Sequence, residues 1–215
     1  MDQRLVRGVE TKRRILAHAV ELASVEGLEG LSLGRLAAEL EMSKAGVFAH
    51  FGSKEELQIA TLDAASAVFG ERVTKAFGAS EPGLPQLIAG CSAWLDYVEG
   101  NCFRGGCFFA AAASELDGRP GAVREHLVEL IKAWLAVLRI IIRDAIRSGH
   151  LQETTEPEPL VLELYALVLG ANWSRQLLGE KHAVKYMRHA LQARLTAAAT
   201  AHGKRMLATA ARVRG

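Results

Sequence analysis

From Thr11 to Glu26 apolar side chains return at Ile15, Leu16, Ala19, Leu22 and Ala23, and Gly27 follows. That spacing predicts one helix with a single buried stripe and a left-handed stop. Ser32 and Ser43 stand where two helix N-caps would, opening short helices over 33–40 and 44–51 separated by a tight turn. Ser53-Lys54-Glu55-Glu56 has capping-box spacing and predicts a long helix with Leu57, Leu62, Ala65, Phe69, Val73 and Phe77 on its inner side. Further helices are predicted over 84–99, 107–117, 122–148, 158–178 and 181–201, and all five prolines (82, 85, 120, 157, 159) fall between them or at their starts. No stretch alternates with the period of a strand, so the chain is expected to be all-α, with about nine helices.

Composition agrees. Among 215 residues there are 35 alanines and 29 leucines, half the residues are hydrophobic and net charge is +2, which excludes a disordered chain and a disulfide-held miniature. Three cysteines, an odd number, and no apolar leader predict a reducing, cytoplasmic setting. The longest apolar run, 160–171, carries Glu163 and is shorter than the roughly 18–20 residues of a membrane span, so no membrane partner is expected. There is no phosphate-binding glycine loop and no nucleophile elbow, and the seven histidines are scattered. An enzyme is not expected, nor a cofactor; Cys91, Cys102 and Cys107 lack the spacing and the nearby histidine of a metal site.

The segment 32–51, SLGRLAAELEMSKAGVFAHF, carries the chemistry. Leu36, Ala37 and Leu40 give the first short helix an inner face, and Val47, Phe48 and Phe51 give the second a face to meet it, which makes a helix-turn-helix. What remains outside is small and donor-bearing: Ser43, Lys44, Ala45, Gly46, Ala49 and His50. Such a helix can enter a major groove closely, with Lys44 reaching bases or phosphates and Ser43 and Ser32 donating to phosphate. Residues 1–55 hold eight basic and eight acidic side chains, but Arg4, Arg7, Lys12, Arg13 and Arg14 cluster at the start, and 42–54 carry Lys44, His50 and Lys54 with no acid. Both clusters could line one DNA-facing surface, Lys54 beside the free N–H groups that open the long helix.

Thr11 to Leu62 resembles the N-terminal domain of the TetR-like bacterial transcriptional regulators. Ile15, Ala19, Gly27, Leu36, Ala37, Ser43, Val47, His50, Phe51, Ser53, Lys54 and Leu57 sit where that pattern expects them. The resemblance implies a three-helix DNA-binding domain whose third helix enters the major groove, a homodimer on a roughly palindromic double-stranded operator, and a divergent helical C-terminal domain that dimerises and binds a small-molecule inducer. The expected division is 1–55, 56–201 and a basic tail, 202–215. The family commonly has Tyr, contacting phosphate, where this chain has Phe48, and a bulkier residue at Ala49; Phe48 cannot donate that bond, so anchoring must lean on Lys54, His50 and the N-terminal arm with Arg13.

Beyond residue 84 the reading rests on pattern. The stretch 160–173 is apolar nearly all round, and Val184, Met187, Leu191 and Leu195 form a seam in the last predicted helix. Leu160, Leu164 and Leu167 with that seam predict a two-fold four-helix interface. Residues 181–215 carry eight basic residues and no acid, and 151–163 four glutamates and no base, so the blocks either meet across the dimer or leave Lys204, Arg205, Arg212 and Arg214 as a solvated or DNA-attracting tail. For a mostly apolar ligand the expected walls are Trp94, Phe103, Phe108, Phe109, Trp134, Tyr165, Asn172, Trp173 and Gln176, with Glu115 and His126 as polar anchors. Two alternatives stay open: a thiol sensor using Cys102 and Cys107 beside Arg104, and a helical carrier or enzyme with vestigial DNA-binding helices.

Overall fold

The computed structural model describes residues 3–213, with side chains described from 6 to 210. Among them eleven α-helices follow in order: α1 (Gln3–Glu26), α2 (Leu33–Glu39), α3 (Lys44–Phe51), α4 (Lys54–Phe69), α5 (Lys75–Gly78), α6 (Leu84–Glu99), α7 (Phe108–Leu116), α8 (Ala122–Arg147), α9 (Pro157–Gln176), α10 (Ala183–Ala198) and α11 (Ala201–Val213). A π-helical turn, Gly70–Thr74, joins α4 to α5, and an isolated bridge between Leu151 and Ala199 replaces any strand among the described residues.

Local signals set most boundaries. Ser32 Oγ accepts from Arg35 N–H at 3.1 Å, Ser43 Oγ from Gly46 N–H at 3.0 Å and Ser53 Oγ from Glu56 N–H at 3.0 Å, so all three predicted caps form. Gly27 ends α1 at φ 79°. The last segment departs from expectation. The chain breaks at Ala199, in extended backbone, and Thr200 Oγ1 accepts from Gly203 N–H at 3.2 Å, starting a new helix where a tail was expected. The side chains of Arg4, Arg212 and Arg214 lie outside the described residues.

The helices gather into two compact units. One holds residues up to 68 with 101–130; the other holds 69–100 with 131 onward. The first is built on Ile15, Ala19, Leu22, Leu28, Leu31, Leu36, Val47, Phe51, Leu57 and Leu62, all buried. In the second, α9 and α10 are packed on each other, with Leu160, Leu164, Val168, Val184, Leu191 and Leu195 inside. Two glutamates of the acidic block are paired within the chain: Glu163 with Arg194, and Glu158 with Arg143 at 2.9 Å and Arg139 at 3.3 Å.

In that second unit His150 Nδ1 accepts from Leu84 N–H at 3.3 Å, and its ring lies 5.4 Å from His202. Burial, then the neighbouring His202, hold the His150 imidazole below its ordinary 6.5. The unfolded chain therefore takes up this proton at a higher pH than the folded chain does. The stability tied to neutral His150 is full above about pH 6.5 and declines as the pH falls below it. The thermal midpoint is expected to drop between about pH 7.5 and 5.5, and His150→Asn, which keeps an acceptor, should drop less. Equal drops in the two proteins would remove His150 as a cause.

Candidate nucleic-acid interface

The recognition motif is presented as its apolar pattern requires. Val47 and Phe51 are buried, while Ser43, Lys44, Ala45 and Ala49 are exposed and Gly46 and His50 are half-buried. Phe48, expected on the inner face, is instead 52 % exposed. Inward packing of α3 rests on only two side chains. Lys44 has no ionic partner among the described residues, and its side chain passes Gly34 of α2 at ordinary van der Waals distance. Arg13 is exposed on α1, and Lys12 lies over the Phe51 ring at 5.5 Å. Ser32 is exposed with its oxygen engaged as a cap, its hydroxyl proton left to donate outward.

Lys54 is placed differently from expectation. Its Nζ donates to the Glu29 carbonyl at 2.8 Å and to Glu29 Oε2 at 3.0 Å, and this hydrogen bond holds the Glu29 carboxyl below the usual carboxylate range. The charge assigned to phosphate from sequence is already neutralised by the α1–α2 turn. A parallel staple ties α2 back to α1, where Arg35 pairs with Glu26 and Glu39, and His18 meets Glu39 at 2.5 Å. Hydrogen bonds from Arg35 lower both carboxyls.

Residues 101–130 supply the rest of the scaffold. Glu115 of α7 accepts from Leu28 N–H at 2.8 Å and Glu29 N–H at 2.7 Å, clamping the turn before α2. Gly105 N–H donates to Ser24 Oγ at 3.3 Å, Arg104 reaches Glu21 at 3.8 Å, and His126 meets Asp63 of α4 at 2.6 Å. Sequence reasoning gave Glu115 and His126 to a ligand and Arg104 to a thiol; all three instead hold the motif's framework. Partners 63 to 87 residues away leave no local signal.

The aromatic candidates divide. Trp94, Trp134 and Tyr165 come together in the second unit with Phe69 and Phe77, expected on the inner side of a long helix, and with Tyr97, for which the sequence carried no expectation. Phe103, Phe108 and Phe109 contact one another in the first unit. Asn172 is buried, whereas Trp173 is 56 % exposed and Gln176 is exposed, so neither of these two lines an interior wall of the chain. A groove of about 550 Å³ lies elsewhere in the second unit, lined by Pro85, Ile88, Ala89, Arg205 and Met206 among others, none of them expected. The dimer seam needs correction too. Leu160, Leu164, Val184, Leu191 and Leu195 are buried inside one chain and Leu167 and Met187 half-buried, while Leu162, Trp173, Leu177 and Tyr186 face outward. Cys107 is buried at the start of α7, and burial pushes its thiol up, as it does Cys91 to about 12; neither is poised as a thiolate.

Comparison with known proteins gives two consecutive family matches along the chain. Residues 15–61 match the family model described as bacterial regulatory proteins, tetR family. Residues 83–191, just over half the chain, match the tetracyclin repressor-like C-terminal domain. The chain belongs to the TetR family. This TetR-family chain is 24 % identical to the HTH-type transcriptional repressor NemR of Escherichia coli K12 over 166 residues, 76 % of this chain and 82 % of NemR. A TetR transcriptional regulator from Chloroflexus aurantiacus superposes with a TM-score of 0.83 at 25 % identity, over 90 % of this chain and 98 % of that one. AibR, solved with isovaleryl coenzyme A and operator DNA, superposes at 0.66 with 22 % identity, over 84 % and 97 %. As a TetR-family member the protein is a transcriptional regulator, with the family's DNA-binding domain followed by its C-terminal domain. Among the described residues no helix is long and apolar enough to cross a membrane.

Proposed function

We propose that this regulator is a cytoplasmic repressor that holds a roughly palindromic operator as a homodimer and leaves it when a small, mostly apolar ligand binds. The observation that carries the reading is α3: a capped helix, buried only through Val47 and Phe51, that turns an unpaired Lys44 and small side chains outward. Ser32, Ser43, Lys44, Ala45, Gly46, Phe48, Ala49, His50 and Arg13 form the DNA-facing set, with residues 1–55 as the DNA-binding part. Lys54 serves that set by holding Glu29. Exposed Phe48 offers apolar contact, which suits a thymine methyl.

Two such helices must reach successive major-groove faces about 34 Å apart, so a rigid dimer is part of the mechanism. The outward stripe of α9, with Leu162 at 60 % exposure and Trp173, is the proposed contact, joined by Tyr186 of α10. Leu162→Glu is expected to raise the dimer dissociation constant about tenfold or more, read by sedimentation; an unchanged value would move the interface elsewhere.

The direct test selects bound fragments from the source genome and titrates one of them. Lys44→Ala should weaken binding by about tenfold, and a reduced salt slope would identify a phosphate contact, an unchanged slope a base contact. Indifference to Lys44→Ala would sink the interface. Release is tested by adding ligands to the bound complex: retention of the operator under every ligand that binds would reject the switch.

A further inference from the structure

Six side chains of the second unit, carried by five helices, form one knot of rings. Phe69 closes α4, Phe77 lies on α5, Trp94 and Tyr97 on α6, Trp134 on α8 and Tyr165 on α9. Trp134 lies 4.9 Å from Phe69, 5.0 Å from Trp94 and 5.4 Å from Phe77, all edge to face, and Tyr165 lies 5.9 Å from Trp94. Charge is kept off the knot: Asp96 and Glu99, the neighbours on α6, are exposed and turned to Arg188 at 2.7 and 3.9 Å, and Lys132 on α8 is exposed.

Two donors inside the knot are unmatched. The indole N–H groups of Trp94 and Trp134 are both buried and meet no hydrogen-bond acceptor among the described residues, and Trp94 as a whole is only 3 % exposed. A tryptophan carries one donor and no acceptor, and when buried it usually finds a partner. A facing ring offers at best a π cloud, weaker than an oxygen lone pair. The helix carrying Phe69 gives way directly after it to the π turn Gly70–Thr74, a local irregularity of the kind that recurs at functional sites.

We propose that this knot is the recognition element of the inducer site, and that Trp94 and Trp134 select a flat, uncharged molecule bearing carbonyl, ether or nitro oxygen against hydrocarbons, acids and bases. The inference rests on the ligand-release reading above. Rings supply the apolar walls, the two indole N–H groups stand unmatched beside the Tyr97 and Tyr165 hydroxyls, and the charged side chains Asp96, Glu99 and Lys132 are exposed. A site built to donate hydrogen bonds rejects an analogue lacking the acceptor far more strongly than one lacking a methylene. Phe69, whose ring lies 4.9 Å from Trp134, is the final residue of the helix that opens at Lys54 directly after the recognition motif.

The test uses the full-length dimer labelled with nitrogen-15. It has three tryptophans, so three indole signals, assigned by Trp94→Phe, Trp134→Phe and Trp173→Phe. The probes are 1-indanone, indane and indane-1-carboxylate. Indanone is expected to bind at least about tenfold more tightly than the other two, moving the Trp94 and Trp134 indole protons downfield while Trp173 stays still. Trp94→Phe and Trp134→Phe, which keep the ring and lose the donor, should each abolish that preference and keep indane binding. Equal binding of indanone and indane, a preference for the carboxylate, unmoved buried indoles or no binding at all would overturn the assignment, and the unsubstituted protein alone decides this if a variant fails to fold. Operator release is scored separately. Indanone held by the indoles with operator still bound would reject release and keep the ligand class. Release by a neutral ketone undiminished in both Phe variants would keep release and reject the class.

Discussion

Glu115→Ala is expected to lose operator affinity and stability together, although residue 115 lies on α7, outside the motif that reads DNA. Its carboxylate takes two backbone protons, from Leu28 at 2.8 Å and Glu29 at 2.7 Å, in the turn between α1 and α2. Leu28 is buried, so its N–H has no easy replacement, whereas Glu29 is exposed and water can serve it. Charge-assisted bonds of this kind are worth about 1.5–3 kcal/mol each, which places the loss near 2 kcal/mol after water reaches Glu29. For a chain of this size that is a fall of roughly 4–8 °C in the thermal midpoint. The same turn carries the Glu29 groups that hold Lys54, so slack there reaches both flanks of the helix-turn-helix. Glu115→Gln keeps one acceptor and should fall between the parent and the Ala variant. Calorimetry with an operator titration checks both, and an Ala variant that melts and binds like the parent would refute the clamp.

Gly105→Ala is expected to cost more. A Cβ at this position would lie 1.6 Å from the Ser24 carbonyl oxygen and 2.4 Å from its carbon. Those atoms are backbone of α1, so no side-chain rotation relieves the overlap, and the loop or the helix end must move. The hydrogen bond from Gly105 N–H to Ser24 Oγ is lost with it. Overpacking against a fixed wall costs about 3 kcal/mol or more, a drop of roughly 6–12 °C. Gly118→Ala is the control: nothing lies within 4 Å of that position, and the change should stay within about 0.5 kcal/mol. Similar midpoints for the two alanine variants would mean that Gly105 does not make this close approach.

The helices were legible because their causes are local. A serine before an apolar-periodic run accepts an N–H three residues on, and Gly27 and Gly52 take positive φ where a helix ends. The helix end near Ala199 falls about where the pattern predicts it, and the helix missed after it has a local cause too, Thr200 capping the Gly203 N–H ahead of an alanine-rich run. The recognition face of α3 was largely legible, since a two-turn helix with two buried residues leaves few choices for the rest. Phe48 defeated the reading because polarity assigns a phenyl ring inward, and only packing shows it outside.

The pairing of faces is where one-dimensional reading stopped. Periodicity found the apolar seams of α9 and α10 correctly and gave them to a second subunit, yet α9 and α10 cover each other and leave Leu162 and Tyr186 for the outside. Trp94, Trp134 and Tyr165 were found one at a time; that Phe69, Phe77 and Tyr97 complete the knot depended on five helices arriving at one place. The order of residues alone settled an all-helical chain with a capped helix-turn-helix near its start, because turns, caps and helical faces are fixed by neighbours within about four positions. Which groups Glu115, Lys54 and the two buried indoles meet was settled by packing, because partners distant along the chain are chosen by how helices dock, and sequence separation carries no record of that choice.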